Sequence, residues 1–261
     1  MKAKGKEQNY HWPVLPEKYD RALHEAVRYI VRRYRPTAII AAGSIIRGTP
    51  HPSSDLDMWV IHRKPFRQRV QKRFSDVPAE IFVNTPATVL EHMAEERKER
   101  RPVAAHMMAK GHVVLDHEPL LARLMAKARS NLRAGPPRMD KGETIRARYW
   151  AGSLFEDAMD MAGADPATSQ LIMTKAVHKM LETAVKLSGR YQPRDKDLLA
   201  VVTEIDPGLG RVAAQFLTAA SLKKRLSLAR RIADRTVQCR GFIEWESEQV
   251  RVRVLPDLRK L

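Results

Sequence analysis

The segment that decides the fold of this chain is residues 37–61, which read TAIIAAGSIIRGTPHPSSDLDMWVI. Residues 37–42 are short, apolar and followed by glycine, which predicts a buried β-strand. Residues 48–54 consist of turn-forming residue types. Residues 55–61 alternate in polarity and predict a second strand. The segment therefore predicts two strands, with Gly43-Ser44 opening a short helix after the first of them.

The second strand of this segment begins with two carboxylates. Because side chains alternate between the faces of a strand, Asp55 and Asp57 share one face, whereas Leu56 and Met58 enter the core. Two carboxylates about 7 Å apart along a strand repel each other unless a cation lies between them. A hard divalent ion prefers such oxygen ligands. The alternative is that both aspartates are surface residues of an edge strand.

Three neighbouring features favour the metal-binding interpretation. Backbone N–H groups and the hydroxyl at Gly43 and Ser44 can bind phosphate. Arg47 lies one turn further along and can reach the same anion. Glu80 lies in the apolar segment 79–83 (AEIFV), where a carboxylate needs a partner. That partner is either a metal ion shared with the two aspartates or a nearby arginine in a salt bridge.

In these residues the sequence resembles the nucleotidyltransferase superfamily with the DNA polymerase β-like palm. Its small members carry a Gly-Ser pair, a spacer, an Asp-x-Asp strand and a third carboxylate on a later strand. Here the matching segments are GSIIRGTPHPSSDLDMWVI and AEIFV, and the resemblance covers roughly residues 20–130. The second half resembles the helical bundle of the aminoglycoside nucleotidyltransferase branch. The resemblance implies an α+β fold: a small mixed sheet with flanking helices, followed by a C-terminal helical bundle.

The resemblance also implies an activity and a set of site residues. The activity is Mg²⁺-dependent transfer of a nucleoside monophosphate, AMP, from ATP or another nucleoside triphosphate to a hydroxyl acceptor, which is either a small molecule or a macromolecule. Asp55, Asp57 and Glu80 are expected to bind two Mg²⁺ ions, unless Glu80 instead deprotonates the acceptor hydroxyl. The residues expected to bind the nucleotide are Gly43, Ser44, Arg47, Ser54 and Lys196. For Lys196, the alternative is an exposed lysine at a helix start.

Gly135-Pro136-Pro137 is the clearest linker signal in the chain. It divides the sequence into a predicted nucleotidyltransferase domain, residues 1–135, and a predicted helical acceptor-binding domain, residues 136–261. Alternating polarity over residues 241–255 predicts a C-terminal β extension. Apolar periodicity predicts a bundle of about four helices in the second domain, over residues 142–163, 166–188, 195–204 and 208–237.

The chain is strongly basic, with 47 Lys and Arg against 30 Asp and Glu and a net charge of +17. Phe66, Val70 and Phe74 recur every four residues among basic side chains, which predicts an amphipathic helix over residues 63–74. The charge favours a polyanionic partner such as RNA. It also leaves open a different class of function, a nucleic-acid-binding or toxin–antitoxin module that uses the transferase fold as a partner surface.

Other classes of protein are disfavoured by composition. The one cysteine, Cys239, excludes a disulfide within the chain and favours a reducing cytoplasm. We expect neither a membrane span nor a secretory signal, because no run of about 18 apolar residues occurs and the N-terminus lacks an apolar stretch. No Cys and His set has the spacing of a zinc site, and no Gly-x-Ser-x-Gly motif indicates a serine hydrolase.

Overall fold

The computed structural model describes residues 10–117, 120–249 and 251. The chain divides into two compact units, Met1–Pro137 and Arg138–Leu261. The first unit contains a β-sheet with flanking helices and the second is helical, so the fold is α+β, as the resemblance implies.

Five strands and five helices are present in the described part of the first unit. The strands are β1 (Ala38–Ala42), β2 (Leu56–Ile61), β3 (Gln68–Phe74), β4 (Val77–Asn84) and β5 (His112–Asp116). The helices are α1 (Glu17–Tyr34), α2 (Gly43–Ile46), α3 (Pro86–Lys98), α4 (Val103–Lys110) and α5 (Leu120–Ala134).

The strands form one mixed sheet in the order β3-β4-β2-β1-β5. Only β2 and β4 are parallel to each other in the described sheet, and the other neighbouring strands are antiparallel. Along β2, Leu56 and Met58 are buried in the core that α1 covers, whereas Trp59 and Ile61 belong to the core formed with α3, α4 and α5. Asp57 precedes Trp59 on the same face and is only partly buried, so the carboxylates lie where this face opens to solvent.

The helix predicted over residues 63–74 is wrong, because this segment contains β3. β3 pairs antiparallel with β4 through a two-residue turn, Ser75-Asp76, whose φ angles are 43° and 62°. Positive φ at both central residues is typical of the tight hairpin turn that matches strand twist. An apolar residue at every fourth position fits a strand as well as a helix, since four residues also return to the same strand face.

Five helices make up the described part of the second unit: α6 (Lys141–Ala164), α7 (Pro166–Leu187), α8 (Asp195–Ile205), α9 (Pro207–Thr218) and α10 (Leu222–Thr236). Side chains from all five share one apolar core that includes Phe155, Met180 and Phe216. The single helix predicted over residues 208–237 is wrong, because the chain breaks into α9 and α10. Ser221 caps α10 by accepting a hydrogen bond from the Lys224 N–H at 3.2 Å.

The β extension predicted for residues 241–255 falls mostly at the edge of the described chain. Residues 242–249 form neither helix nor strand, and residues 250 and 252–261 lie outside the described residues. The extension therefore stays a prediction. Among the helices described here, none has the length and apolar character needed to cross a membrane.

Candidate active site

Three carboxylates from two adjacent parallel strands converge at one place in the first unit. Asp55 immediately precedes β2, Asp57 is the second residue of β2, and Glu80 lies directly beside Asp57 on β4. One ligand oxygen from each carboxylate lies within 4.8 Å of the others, and all three residues are partly buried. Strand alternation alone relates the two aspartates, whereas the place of Glu80 beside them, which the sequence leaves open against a salt bridge, depends on the β2–β4 register.

The donor set of this acid cluster (Asp55, Asp57 and Glu80) fits a divalent cation. Three mutually close carboxylates repel one another, and a cation among them removes that repulsion. Oxygen ligands are those that Mg²⁺ prefers, and the partial exposure leaves room for water and phosphate oxygens. No other described group of three acidic, histidine or cysteine side chains is this compact.

Glu80 also has two polar neighbours on β3, and the sequence did not predict which residues these are. The Arg69 guanidinium forms an ion pair with the Glu80 carboxylate, and the Gln71 side-chain amide donates a hydrogen bond to the same oxygen at 3.3 Å. The side chain of Arg69 is 64% exposed and that of Glu80 only 14%. The two alternatives for Glu80, a shared metal ion and an arginine salt bridge, therefore do not exclude each other. The carboxylate lies close to the two aspartates and also contacts Arg69. The sequence does not identify these two residues, because the apolar spacing of residues 63–74 indicates a helix.

Gly43 is required at its position by both conformation and space. Its φ angle is +88°, a region that side chains disfavour. A Cβ atom on Gly43 would overlap Oδ2 of Asp57 and lie 3.2 Å from its Cγ. The backbone of the turn after β1 therefore lies directly against the acid cluster.

Ser44 and Ser54 are brought together by the loop between α2 and β2. Their hydroxyl oxygens are 2.7 Å apart, and the Ser54 hydroxyl also accepts a hydrogen bond from the His51 N–H at 2.8 Å. The Thr49 N–H donates to the Ser44 carbonyl at 3.0 Å, which holds the loop against α2. Ser44 and Ser54, which are both predicted to bind the nucleotide, thus lie side by side although ten residues separate them in the sequence. Ser44 directly follows Gly43, and Ser54 directly precedes Asp55.

The remaining predicted nucleotide-binding residues are cationic and exposed. Arg47 ends α2 and is exposed. Lys196 is the second residue of α8 in the second unit and is also exposed. Either side chain can reach an anion in solvent, and their contacts with the nucleotide stay predictions.

The carboxyl group with the most strongly raised pKa in the described residues is not in the acid cluster. Burial raises the pKa of Glu96 on α3 to about 7, despite a hydrogen bond that its Oε2 accepts from the Ala104 N–H at 2.6 Å. This contact satisfies a free N–H group at the start of α4, where Pro102 provides no side-chain cap. Glu96 therefore connects two helices of the first unit and has a structural role.

Comparison with known proteins agrees with this geometry. Residues 23–106 match the sequence profile of the nucleotidyltransferase domain. The structure is similar to that of a nucleotidyltransferase-like protein from Exiguobacterium sibiricum 255-15, with a TM-score of 0.50 and 15% sequence identity over 83% of this chain and 74% of the other. At that identity, the likeness concerns the fold alone. No curated protein sequence is significantly similar to this chain. Residues 23–106, which contain the acid cluster and the Gly43-Ser44 turn, are therefore the part of the chain that is similar to a nucleotidyltransferase domain.

Proposed function

We propose that this protein transfers a nucleoside monophosphate, AMP, from a nucleoside triphosphate to a hydroxyl group of an acceptor. The observation that carries the proposal is the convergence of Asp55, Asp57 and Glu80 beside Gly43 within a nucleotidyltransferase domain. The single cysteine of the chain, Cys239, also fits the reducing cytoplasm that we propose as its location.

Two Mg²⁺ ions are the cofactors that we propose for the acid cluster. Asp55 and Asp57 would hold both ions, with Glu80 as a further ligand or as the base that accepts the acceptor's proton. Bound there, Mg²⁺ lowers the pKa of the attacking hydroxyl and neutralises charge on the leaving phosphates. The partial burial of the three carboxylates supports this role, because charges attract more strongly where water is partly excluded.

The triphosphate is proposed to lie along the turn between β1 and β2. The backbone at Gly43 can approach phosphate closely, because no side chain intervenes. In the hydrogen-bonded pair of Ser44 and Ser54, the hydroxyl that accepts the shared hydrogen bond still has its own proton to donate to a phosphate oxygen. Arg47 is placed at the end of the same turn, where its charge would stabilise the developing negative charge. We propose Lys196 as a further triphosphate ligand.

The proposed reaction is a single displacement at phosphorus. The acceptor oxygen forms a bond to the α-phosphorus, and the bond from that phosphorus to the α,β-bridging oxygen breaks. Pyrophosphate leaves with the electron pair of the broken bond, and the hydroxyl proton passes to Glu80 or to solvent. The carboxylates of the acid cluster and the hydroxyls of Ser44 and Ser54 fix the two reactants in line, and such positioning contributes much of the acceleration in phosphoryl-type transfers.

The experiment that tests this function compares two charge-neutralising variants of the same domain. Purified protein is incubated with Mg²⁺, each α-labelled nucleoside triphosphate in turn, and a panel of acceptors that includes the protein itself, RNA and hydroxylated small molecules. Asp57→Asn should reduce transfer on the order of 100-fold or more, because a metal ligand is lost. Asp76→Asn removes the same charge from an exposed turn residue whose positive φ suits asparagine, so it should change transfer by less than about 2-fold.

Two outcomes would contradict the proposal. One is that no acceptor is labelled with any nucleotide. The other is that Asp57→Asn transfers as well as Asp76→Asn. In either case the alternative, a binding module that uses the transferase fold as a partner surface, predicts that nucleic-acid binding persists in Asp57→Asn with an unchanged salt dependence.

A further inference from the structure

β3, one of the two outer strands of the described sheet, carries a concentration of positive charge. Residues 62–75 include six Lys or Arg and no Asp or Glu. Every residue of β3 except Val70 and Phe74 is exposed. Outer strands often carry charged side chains that prevent another strand from pairing with them. The positive charge of β3 is more than is needed to prevent such pairing, since Arg69 and Arg73 lie on one face of the strand and Lys72 on the other.

On one face, β3 extends the surface that holds the acid cluster. The register places Gln71 beside Glu80, Arg73 beside Pro78 and Arg69 beside Phe82. Arg69 and Arg73 thus share the face of Glu80, one on each side of Gln71. Arg69 contacts Glu80 directly. A phosphate bound by Arg69 would therefore lie next to the proposed reaction centre.

On the other face, β3 meets a basic stripe of α1. The Lys72 ammonium lies 5.8 Å from the centre of the Tyr29 ring. Tyr29 also lines an open depression of about 410 Å³ on α1, together with Glu25 and three arginines, Arg28, Arg32 and Arg33. Glu25 is the one acidic residue in the lining of this depression, so the lining as a whole carries a net positive charge.

We infer that the acceptor is a single-stranded nucleic acid, whose phosphate backbone binds the basic edge. The basic edge is here defined as Arg67, Arg69, Lys72 and Arg73 with Arg28, Arg32 and Arg33 of α1. This inference rests on the proposed function, since it names the acceptor of that reaction. The terminal ribose or deoxyribose hydroxyl of the strand would supply the attacking oxygen, and the strand would grow by one nucleotide as pyrophosphate leaves.

The extent of the basic edge favours a nucleic acid over a smaller anion. A strand of seven residues spans about 20 Å. This distance covers several successive phosphates of a nucleic-acid backbone, and it is longer than a single triphosphate group. Few aromatic side chains interrupt the charges, so base stacking contributes little and binding should be insensitive to sequence. A peptide strand paired with β3 would be an alternative occupant, but the arginine and lysine side chains disfavour it.

The test measures binding and transfer separately. Binding of a fluorescent 20-nucleotide RNA, and of the matching single-stranded DNA, is followed by anisotropy in EDTA over a salt series, without nucleotide. The β3 variant, Arg67→Gln/Lys72→Gln/Arg73→Gln, changes two residues of β3 and the arginine that precedes this strand, and it leaves Arg69 and the acid cluster intact. Its matched control, Lys223→Gln/Lys224→Gln/Arg231→Gln, removes the same charge from exposed positions on α10.

We expect the β3 variant to bind RNA about 10- to 100-fold more weakly and to lose about 2 from the slope of log K against log salt, as three lost phosphate contacts predict. The α10 control should change the affinity by less than about 3-fold. With α-labelled ATP and Mg²⁺, the β3 variant should raise KM for the oligonucleotide and leave KM for ATP unchanged. Use of RNA alone, or of DNA alone, would identify the sugar that the site accepts.

Three results would overturn the inference. The first is that the two triple variants bind RNA equally well. The second is that a protein or a small molecule is labelled but no oligonucleotide is, and the third is that the β3 variant and the wild-type protein label the oligonucleotide equally well. The first is independent of catalysis. The second and third require transfer to occur, so they refute the acceptor without refuting the proposed function. Absence of all transfer together with β3-dependent binding would refute the proposed function, and with it the acceptor role.

Discussion

Gly43 and Asp57 are in such close contact that no side chain fits between them: a Cβ atom on Gly43 would overlap Oδ2 of Asp57. The two residues come from different elements, the turn after β1 and the strand β2. β1 and β2 are adjacent and antiparallel, and Ala42 at the end of β1 lies opposite Asp57. The strand pairing therefore places the proposed phosphate-binding turn against the proposed metal ligand.

Gly43→Ala should weaken the proposed nucleotidyl transfer by displacing Asp57. The matched control is Gly48→Ala, since Gly48 also has a positive φ (+73°) but has no atom near an added Cβ. Both variants incur backbone strain of about 1 kcal/mol. Only Gly43→Ala should also reduce transfer and Mn²⁺ binding, each by about 10-fold or more, because a proposed metal ligand is displaced. Calorimetric titration with Mn²⁺ and the transfer assay measure these effects, and equal behaviour of the two variants would contradict the prediction.

Arg69→Gln should strengthen divalent-cation binding to the acid cluster. Arg69 forms an ion pair with Glu80, so its positive charge opposes a cation at the same carboxylate. Because the arginine side chain is largely exposed, solvent screens the effect, and we expect an increase in Mn²⁺ affinity of about 3- to 10-fold. Arg67→Gln is the control, because Arg67 is an exposed arginine two residues before Arg69 in the sequence. Unchanged or weaker Mn²⁺ binding in Arg69→Gln would show that the arginine supports the metal site instead.

Glu96→Gln should stabilise the protein above neutral pH. The pKa of Glu96 is raised by burial from 4.5 to about 7, so the folded state binds the proton more tightly than the unfolded state. The stability that this proton provides is fully present below pH 4.5 and is lost as the pH rises through about 7. Glutamine is always neutral and can still accept the hydrogen bond from Ala104. The difference in free energy of unfolding between the variant and the wild-type protein should therefore favour the variant by about 1–2 kcal/mol more at pH 8 than at pH 5.

Urea unfolding at pH 5 and pH 8 measures this difference for Glu96→Gln. Glu95→Gln is the control, because Glu95 is exposed on the same helix. Its effect on the free energy of unfolding should be nearly the same at both pH values. A pH-independent effect of Glu96→Gln would mean that the Glu96 carboxyl is charged in the folded protein over this range.

Much of the first unit follows from local patterns in the sequence. The apolar run before Gly43 and the alternation after Asp55 correctly predict β1 and β2, because a buried strand needs apolar side chains at known positions. The sequence pattern does not reveal the division of one predicted helix into α9 and α10, although Ser221 is a good helix N-cap. The reason is that apolar periodicity continues across the break.

The pairing of strands is where sequence reasoning failed. Phe66, Val70 and Phe74 have a spacing that suits a helix or a strand, and Ser75-Asp76 is a weaker turn signal than Asn-Gly. Assigned to a helix, residues 63–74 had no expected relation to Glu80. The structure places Arg69 and Gln71 of this segment against that carboxylate.

The sequence by itself determined that Asp55 and Asp57 share one face of a strand, because alternation is a local property of an extended backbone. It also supplied the basic charge of residues 62–75. Only the tertiary structure decided that Glu80 completes the acid cluster, that Gly43 lies against Asp57, and that the basic charge borders the site. These relationships depend on which strands pair and in which register, and pairing is determined by packing between segments that are distant in the chain.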